Sequence, residues 1–391
     1  MKSLSSFNLP CLKSRLTGFF AFVLLAACQP PADDNNILMQ RAQTEPAAAM
    51  RLATQRLANA ELDAALHWFR QGARLGDTTA LAHALQLQQR QQGRLATAQW
   101  LQNALDEGVV SSKQLTAAQR AELGLWQSGP AGVAGFTHPV GCQLTLQPVV
   151  SQQVGLTTWQ RLLTQWQQDT QLQQLAVCFA PAIKLSATEL SCSEQPDSRI
   201  QCNYLALSST VATGGFSQLL VIAGRGAASY NNGILQLPDN ASLPLLRHEF
   251  MHILGFIDEY RLAADTAAQV CHDTKIYPNI LFAEQKATYL QHWQLDADQI
   301  ALTPVESCAY SGKQMYRVVE AANLMRSFEL GLPALYLTLS QRILSTPEDI
   351  MPVQYYFAYL ARQQQNWPAW QQFMQQAAAQ GYQDALQALA P

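Results

Sequence analysis

The segment from His248 to Asp258 constrains the fold more than any other feature, because it follows the pattern H-E-x-x-H-x-x-G-x-x-D. On an α-helix, His248 and His252 lie one turn apart on the same face, so both imidazoles can bind a single Zn²⁺ ion. Glu249 then stands where it can act as general base toward a metal-bound water. Gly255 permits a sharp turn after the helix, because it adopts positive φ without a Cβ clash. We expect that turn to bring Asp258 back as the third ligand.

The residues around the motif also favour a buried helix. Ser242 is a suitable N-cap, and Pro244 is tolerated in a first turn. Apolar residues recur at helical spacing through 245–254, on the face opposite the histidines. Two alternatives stay open at this point. In the first, the helix binds no metal and its two histidines are buried as structural residues. In the second, the metal site exists, but Glu259 replaces its neighbour Asp258 as the third ligand.

A second motif lies downstream, where Asn323-Leu324-Met325-Arg326-Ser327 precedes an apolar, helix-like pattern over 333–344. The two motifs together resemble the metzincin metallopeptidases, in which a Met-containing turn lies beneath the zinc and is followed by a C-terminal helix. The resemblance implies that Met325 supports the metal ligands. The run Asp258-Glu259-Tyr260 is also similar to that of IgA-peptidase-like metallopeptidases. No tyrosine stands two residues after Met325, where some metzincins have one.

The resemblance implies an α+β fold, with a mixed twisted sheet and a zinc-binding helix in a catalytic domain at 135–346. Four segments have strand-like patterns that fit such a sheet: 142–150, 176–185, 200–207 and 218–223. A fifth, 233–238, comes directly before the zinc helix. In metzincins the strand at this place is an edge strand, which binds an extended peptide through backbone hydrogen bonds. We therefore expect a protein or peptide substrate in extended form along 233–238.

The first residues have the pattern of a targeting segment. A basic start is followed by an apolar run over 16–27, which is too short to span a membrane comfortably. The sequence Leu25-Ala26-Ala27-Cys28 resembles a bacterial lipobox, which implies that 1–27 are a signal peptide and that a lipid on Cys28 anchors the chain to the membrane. Gln29, rather than Asp, predicts an outer-membrane lipoprotein that faces the periplasm or the cell surface. The alternative is an ordinary secretory signal with an incidental cysteine.

Beyond Cys28 the chain has an even number of cysteines: Cys142, Cys178, Cys192, Cys202, Cys271 and Cys308. Outside the cytosol an even number predicts three disulfides, for which 15 pairings exist. We predict the pairing that closes local loops: Cys142–Cys178, Cys192–Cys202 and Cys271–Cys308. The formal net charge of −3 becomes more negative once the basic leader is removed, which argues against nucleic acid as a partner.

Helix-forming sequence flanks the catalytic segment on both sides. After a polar tether at 28–47, residues 48–128 are rich in Ala, Leu and Gln, and 347–391 are similar. A large aromatic residue precedes a glycine by eight positions three times: Trp68–Gly76, Trp100–Gly108 and Phe373–Gly381. These units resemble tetratricopeptide or SEL-type helical repeats, which would bind a protein partner. Amphipathic helices that pack on the enzyme are the alternative.

The sequence thus predicts a zinc-dependent endopeptidase of the bacterial cell envelope, with one catalytic Zn²⁺ and Glu249 as general base. One alternative is a non-catalytic adaptor lipoprotein, in which the helical repeats bind a protein and the metal is structural. Another is a zinc hydrolase that acts on a non-protein envelope polymer. A glutamate between the two histidines argues against the adaptor, because a structural metal site has no use for a base.

Overall fold

The computed structural model of this protein describes residues 32–272 and 274–390. The predicted signal peptide and Cys28 lie outside these residues. The described chain is 51% helical and 12% strand, which confirms the α+β class. It divides into two compact units, one ending at His83 and one beginning at Ala84. In neither described range is any helix long and apolar enough to cross a bilayer.

The first unit is helical. Its helices are α1 (Ala32–Ala42), α2 (Pro46–Ala58), α3 (Leu62–Arg74) and the first turns of α4 (Thr78–Asp106). The segment predicted as a polar tether is thus helical over most of its described part. Ala42 at the end of α1 is fully buried, and α1 contacts α2. This contact gives the segment a helix partner that its polar composition does not reveal.

The second unit contains the predicted catalytic segment. Its further helices are α5 (Ala117–Leu123), α6 (Gln153–Gln168), α7 (Ala187–Leu190), α8 (Ser208–Thr213), α9 (Leu243–Ile253), α10 (Ala264–Val270), α11 (Lys286–Trp293), α12 (Ala334–Leu344), α13 (Val353–Gln363), α14 (Trp367–Ala379) and α15 (Gln383–Ala388). Its strands are β1 (Gly129–Pro130), β2 (Leu144–Val150), β3 (Val177–Phe179), β4 (Ile183–Lys184), β5 (Glu194–Arg199), β6 (Gln218–Ile222), β7 (Arg225–Ala227), β8 (Ser229–Asn231), β9 (Ile234–Leu237), β10 (Ile280–Leu281), β11 (Thr303–Val305) and β12 (Met315–Arg317).

The main sheet has the order β1-β4-β2-β6-β9-β8 within the described residues, and β3 also pairs with β2. Strands β2, β6 and β9 are parallel, whereas β8 runs antiparallel to β9. The tight turn Asn232-Gly233, with positive φ at both residues, joins β8 to β9. The expectation of an edge strand at 233–238 is therefore wrong: β9 is an inner strand, because β8 pairs with it and forms the edge on that side of the sheet. The two smaller sheets are β10-β12-β11 and β5-β7.

The central strands are buried on both faces, as expected for parallel strands covered by helices. One face packs under α6 and α9, where Trp159, Trp166 and Phe250 are almost fully buried. The opposite face packs under α8, α13 and α14, and Phe357 and Phe373 fill that layer. The C-terminal segment 347–391, predicted as a flanking repeat, thus covers one face of the sheet.

Two further sequence predictions can be compared directly with the structure. The three predicted disulfides are confirmed: Cys142–Cys178, Cys192–Cys202 and Cys271–Cys308 are all bonded. The strand predicted at 200–207 is wrong. That stretch is a loop followed by a short 3₁₀ helix at Tyr204–Leu207, because the Cys192–Cys202 bond and the β5–β7 pairing turn the chain there.

Candidate metal centre

Helix α9 carries the two histidines on the side that faces a cleft. It begins where the Ser242 hydroxyl accepts a hydrogen bond from the Leu245 amide at 3.4 Å, as the N-cap prediction requires. Its opposite side is buried in the core through Leu246, Phe250 and Met251. The core therefore fixes the helix and, with it, the direction of the histidine side chains.

A tight turn after α9 returns the chain to the histidines. Gly255 has φ +80°, a conformation that residues with a Cβ rarely adopt. The turn places Asp258 Oδ1 3.4 Å from Nε2 of His248 and 3.4 Å from Nε2 of His252. The ligand atoms of the three residues all lie within 4.8 Å of one another. The structure thus brings together the three residues predicted as metal ligands.

Backbone carbonyls orient both imidazole rings. His248 Nδ1 lies 2.9 Å from the Leu324 carbonyl oxygen, and His252 Nδ1 lies 2.8 Å from the Phe256 carbonyl oxygen. A carbonyl oxygen only accepts, so each Nδ1 carries the hydrogen and each neutral ring keeps a lone pair on Nε2. Ring N–H groups held in this way are the usual outer contacts of histidines that bind a metal.

Asp258 provides the test of whether a cation fits. Its Oδ1 is buried and receives no hydrogen bond from the described residues, whereas Oδ2 accepts one from the Tyr260 hydroxyl at 2.8 Å. A buried carboxylate oxygen without a donor is costly. Here it points at the two Nε2 atoms, so three electron pairs converge. Two imidazoles and one carboxylate are a donor set that Zn²⁺ accepts, and they leave a coordination position for water.

The electrostatics of the cluster call for positive charge. Burial alone would lower the pKa of His252, but the negative charge of the adjacent Asp258 outweighs it and raises that pKa to about 9. Burial and the neighbouring His252 lower the pKa of His248. The negative carboxylate therefore stabilises positive charge beside the two rings, which a divalent cation would supply.

Glu249, the predicted general base, lies on the same helix but outside the cluster of ligand atoms. Its side chain is mostly buried and lines the cleft beside His248 and His252. Burial raises the pKa of its carboxyl to about 7, which outweighs the opposing effect of His252. A carboxylate with this environment is suited to take up and release a proton near neutral pH.

The predicted Met turn lies against the cluster through its backbone. The Leu324 carbonyl holds the His248 ring, and the Met325 carbonyl accepts a hydrogen bond from the Glu259 amide at 2.9 Å. Asn323 Oδ1 accepts one from the Met325 amide at 2.9 Å, which closes the turn. The Met325 side chain is fully buried in the same core as α9. The turn thus orients the imidazole of His248 and the backbone that directly follows Asp258.

Glu259, the alternative third ligand, points away from the two imidazoles. Its carboxylate accepts hydrogen bonds from Asn323 Nδ2 at 2.9 Å, from the Tyr336 hydroxyl at 2.6 Å and from Asn279 Nδ2 at 3.3 Å. Burial raises the pKa of this carboxyl, although the hydrogen bonds oppose that effect. The structure therefore favours Asp258 as the ligand. Asn279 and Tyr336 were missed by sequence reasoning, because nothing in their local sequence marks them.

The cluster opens into a cleft of about 710 Å³. The edge strand β8 forms one wall, and the charged side chains of Arg199, Asp265 and Lys275 also line it. A second cavity of about 740 Å³ shares Tyr230 and Lys275 with the cleft. The metal cluster therefore faces an open cleft, and the edge strand β8 lines that cleft.

No protein-family model matches the sequence, and no curated protein matches it.

Proposed function

We propose that this protein is a zinc-dependent endopeptidase with a metzincin-like catalytic domain. One observation carries the proposal: the ligand atoms of His248, His252 and Asp258 converge, and Glu249 lines the same cleft. A structural metal site has its ligands satisfied and enclosed, whereas this one faces a groove and has a carboxylate beside it. The Met325 turn and the antiparallel edge strand β8 further support the metzincin resemblance.

The residues of the chain have distinct parts in the reaction. When bound by His248, His252 and Asp258, zinc acts as a Lewis acid that acidifies water and polarises a carbonyl group. Glu249 accepts a proton from the attacking water and later donates it to the leaving amine. Tyr260 fixes Asp258 through its hydrogen bond to Oδ2. The free edge of β8 holds the substrate peptide in extended form.

The decisive variant is Glu249→Gln, which removes the base and keeps nearly the same shape. We expect this variant to bind zinc as the wild type does and to lose at least about 99% of peptide turnover, because general base catalysis contributes about 10²–10⁴-fold. A peptide library, with and without chelator, measures turnover. Asp265→Gln is the control, because Asp265 lines the same cleft outside the cluster.

Three outcomes of that experiment decide between functions. Cleavage that the chelator and Glu249→Gln both abolish supports the peptidase. Cleavage that persists in Glu249→Gln contradicts the assigned base. Zinc binding without cleavage of any peptide favours the adaptor lipoprotein instead, with a structural metal site.

We also propose that the protein works in the bacterial cell envelope as an outer-membrane lipoprotein. The lipobox-like sequence at Cys28 supports this, and the three disulfides fit an oxidising compartment. We expect radiolabelled palmitate to be incorporated into the wild type and not into Cys28→Ser. Equal labelling of both would leave an ordinary secretory signal as the better interpretation.

A further inference from the structure

Residues 192–202 form an arch that is closed by a disulfide, and this arch places the Arg199 side chain at the cleft. Cys192 and Cys202 are bonded at its base, and its strand β5 pairs with β7. Next to the base, the Ser193 amide donates to the Gln201 carbonyl at 2.8 Å. These contacts fix the backbone of the arch on both sides, up to its last strand residue, Arg199.

The start of β5 is fixed from a second direction. The Arg94 guanidinium donates to Glu194 Oε1 at 2.9 Å and also to Asp239, which lies just before α9. The Arg94 amide donates to Glu194 Oε2 at 2.7 Å. The arch is thereby tied to the chain that leads into the histidine helix, and its position relative to the cluster is determined.

Arg199 combines this fixed backbone with a free side chain. It is exposed, lines the cleft with His248 and Glu249, and forms no ion pair with any carboxylate of the described residues. A guanidinium offers a planar fork of donors that matches a carboxylate.

The register of β5 and β7 places Arg199 at one end of the edge strand. Arg199 pairs with Ala227, and the Ile200 amide donates to the Ala227 carbonyl at 3.2 Å. Ala227 is only two residues before Ser229, where β8 begins. An extended peptide on β8 therefore passes Arg199 near the cluster.

We propose that Arg199 determines specificity by binding a carboxylate of the substrate peptide, and this inference rests on the proposed peptidase function. The carboxylate has two sources: an Asp or Glu side chain near the scissile bond, or the free C-terminus of a short peptide. An uncharged peptide binds through β8 alone and loses this contact.

The test measures equilibrium binding of fluorescent peptides, by anisotropy, to Glu249→Gln protein with zinc, so that no turnover is required. One arm compares peptides with Glu or Gln at each position, all amidated at the C-terminus. The other compares free-acid and amidated forms of the Gln peptides. We expect about fivefold tighter binding of the carboxylate form in at least one arm, because an exposed ion pair contributes up to about 1 kcal/mol.

Adding Arg199→Gln should bring that ratio to about one, while Arg199→Lys keeps part of it. Arg225→Gln is the matched control, because Arg225 is exposed on the adjacent strand and does not line the cleft, and it should leave the ratio unchanged. A ratio of one in both arms, or one that survives Arg199→Gln, overturns the proposal for Arg199 alone. If no peptide binds in any form, both the proposal for Arg199 and the peptidase proposal fail.

Discussion

Two adjacent carboxylates, Asp258 and Glu259, have opposite tasks in this protein. Asp258 keeps a buried oxygen without a donor and aims it at two imidazoles. Glu259 is saturated by amide and hydroxyl donors and connects the turn at Asn323 to Tyr336 on α12. One is thus available to a cation, and the other holds together the elements around the site.

Glu259→Gln tests the structural half of this contrast. Both oxygens of the Glu259 carboxylate accept hydrogen bonds, and the substitution replaces one of them by an NH2 group. A buried donor on Asn323 or Tyr336 then loses its acceptor. We expect the free energy of unfolding to fall by about 1–3 kcal/mol, measured by urea denaturation of the metal-free protein. Glu320→Gln, at an exposed glutamate, is the control. Equal free energies of unfolding for the two variants would show that the hydrogen bonds of Glu259 do not stabilise the fold.

The sequence pointed to the side chains that converge in the cleft but left Asp258 and Glu259 open as alternatives. The H-E-x-x-H spacing determines which side chains share a helix face, because it is local. Which of the two neighbouring carboxylates faces the histidines depends on hydrogen-bond partners that are distant in the sequence. Here those partners are Asn279 and Tyr336, whose positions no local spacing specifies.

At the scale of elements, the edge strand and the arch escaped sequence reasoning. Strand β8 has only three residues, Ser229–Asn231, and no apolar alternation that marks it. Strand β5 is polar and mostly exposed, so it has no burial pattern to detect. Both exist because of pairing with β9 and β7. Longer, apolar elements were predicted well, as the Ser242-capped α9 and the apolar α12 show.

Arg94→Met tests whether the arch depends on its anchor. The substitution leaves the buried Asp239 carboxylate without its cation and removes the tie to Glu194. We expect a loss of about 3–5 kcal/mol in the free energy of unfolding, because breaking one partner of a buried ion pair strands the other charge. Arg90→Met is the control, because Arg90 is exposed and lies just before the non-helical Gly93 that separates it from Arg94; it should change stability by less than about 0.5 kcal/mol. Similar losses of stability in both variants would contradict the role of Arg94 as the anchor of the arch.

At the scale of the whole molecule, the sequence indicated the fold class and several helix ends better than the packing partners of the helices. Glycines 76, 108 and 381 each follow a helix end with positive φ, as the repeat pattern predicts. The same pattern does not say what a helix packs against. The C-terminal helices cover the sheet, and the described chain divides into two compact units at His83/Ala84, within α4. Such choices depend on long-range burial, which amphipathic spacing alone leaves undetermined.

The proposed peptidase activity requires that one divalent cation binds at His248, His252 and Asp258. Anomalous diffraction at the zinc absorption edge, from crystals of the zinc-loaded protein, tests it most directly. We predict a single strong peak in contact with Nε2 of both histidines and a carboxylate oxygen of Asp258, at about 2.0–2.2 Å. Absence of the peak there, or a peak in contact with other residues, would show that these three side chains do not form the metal site.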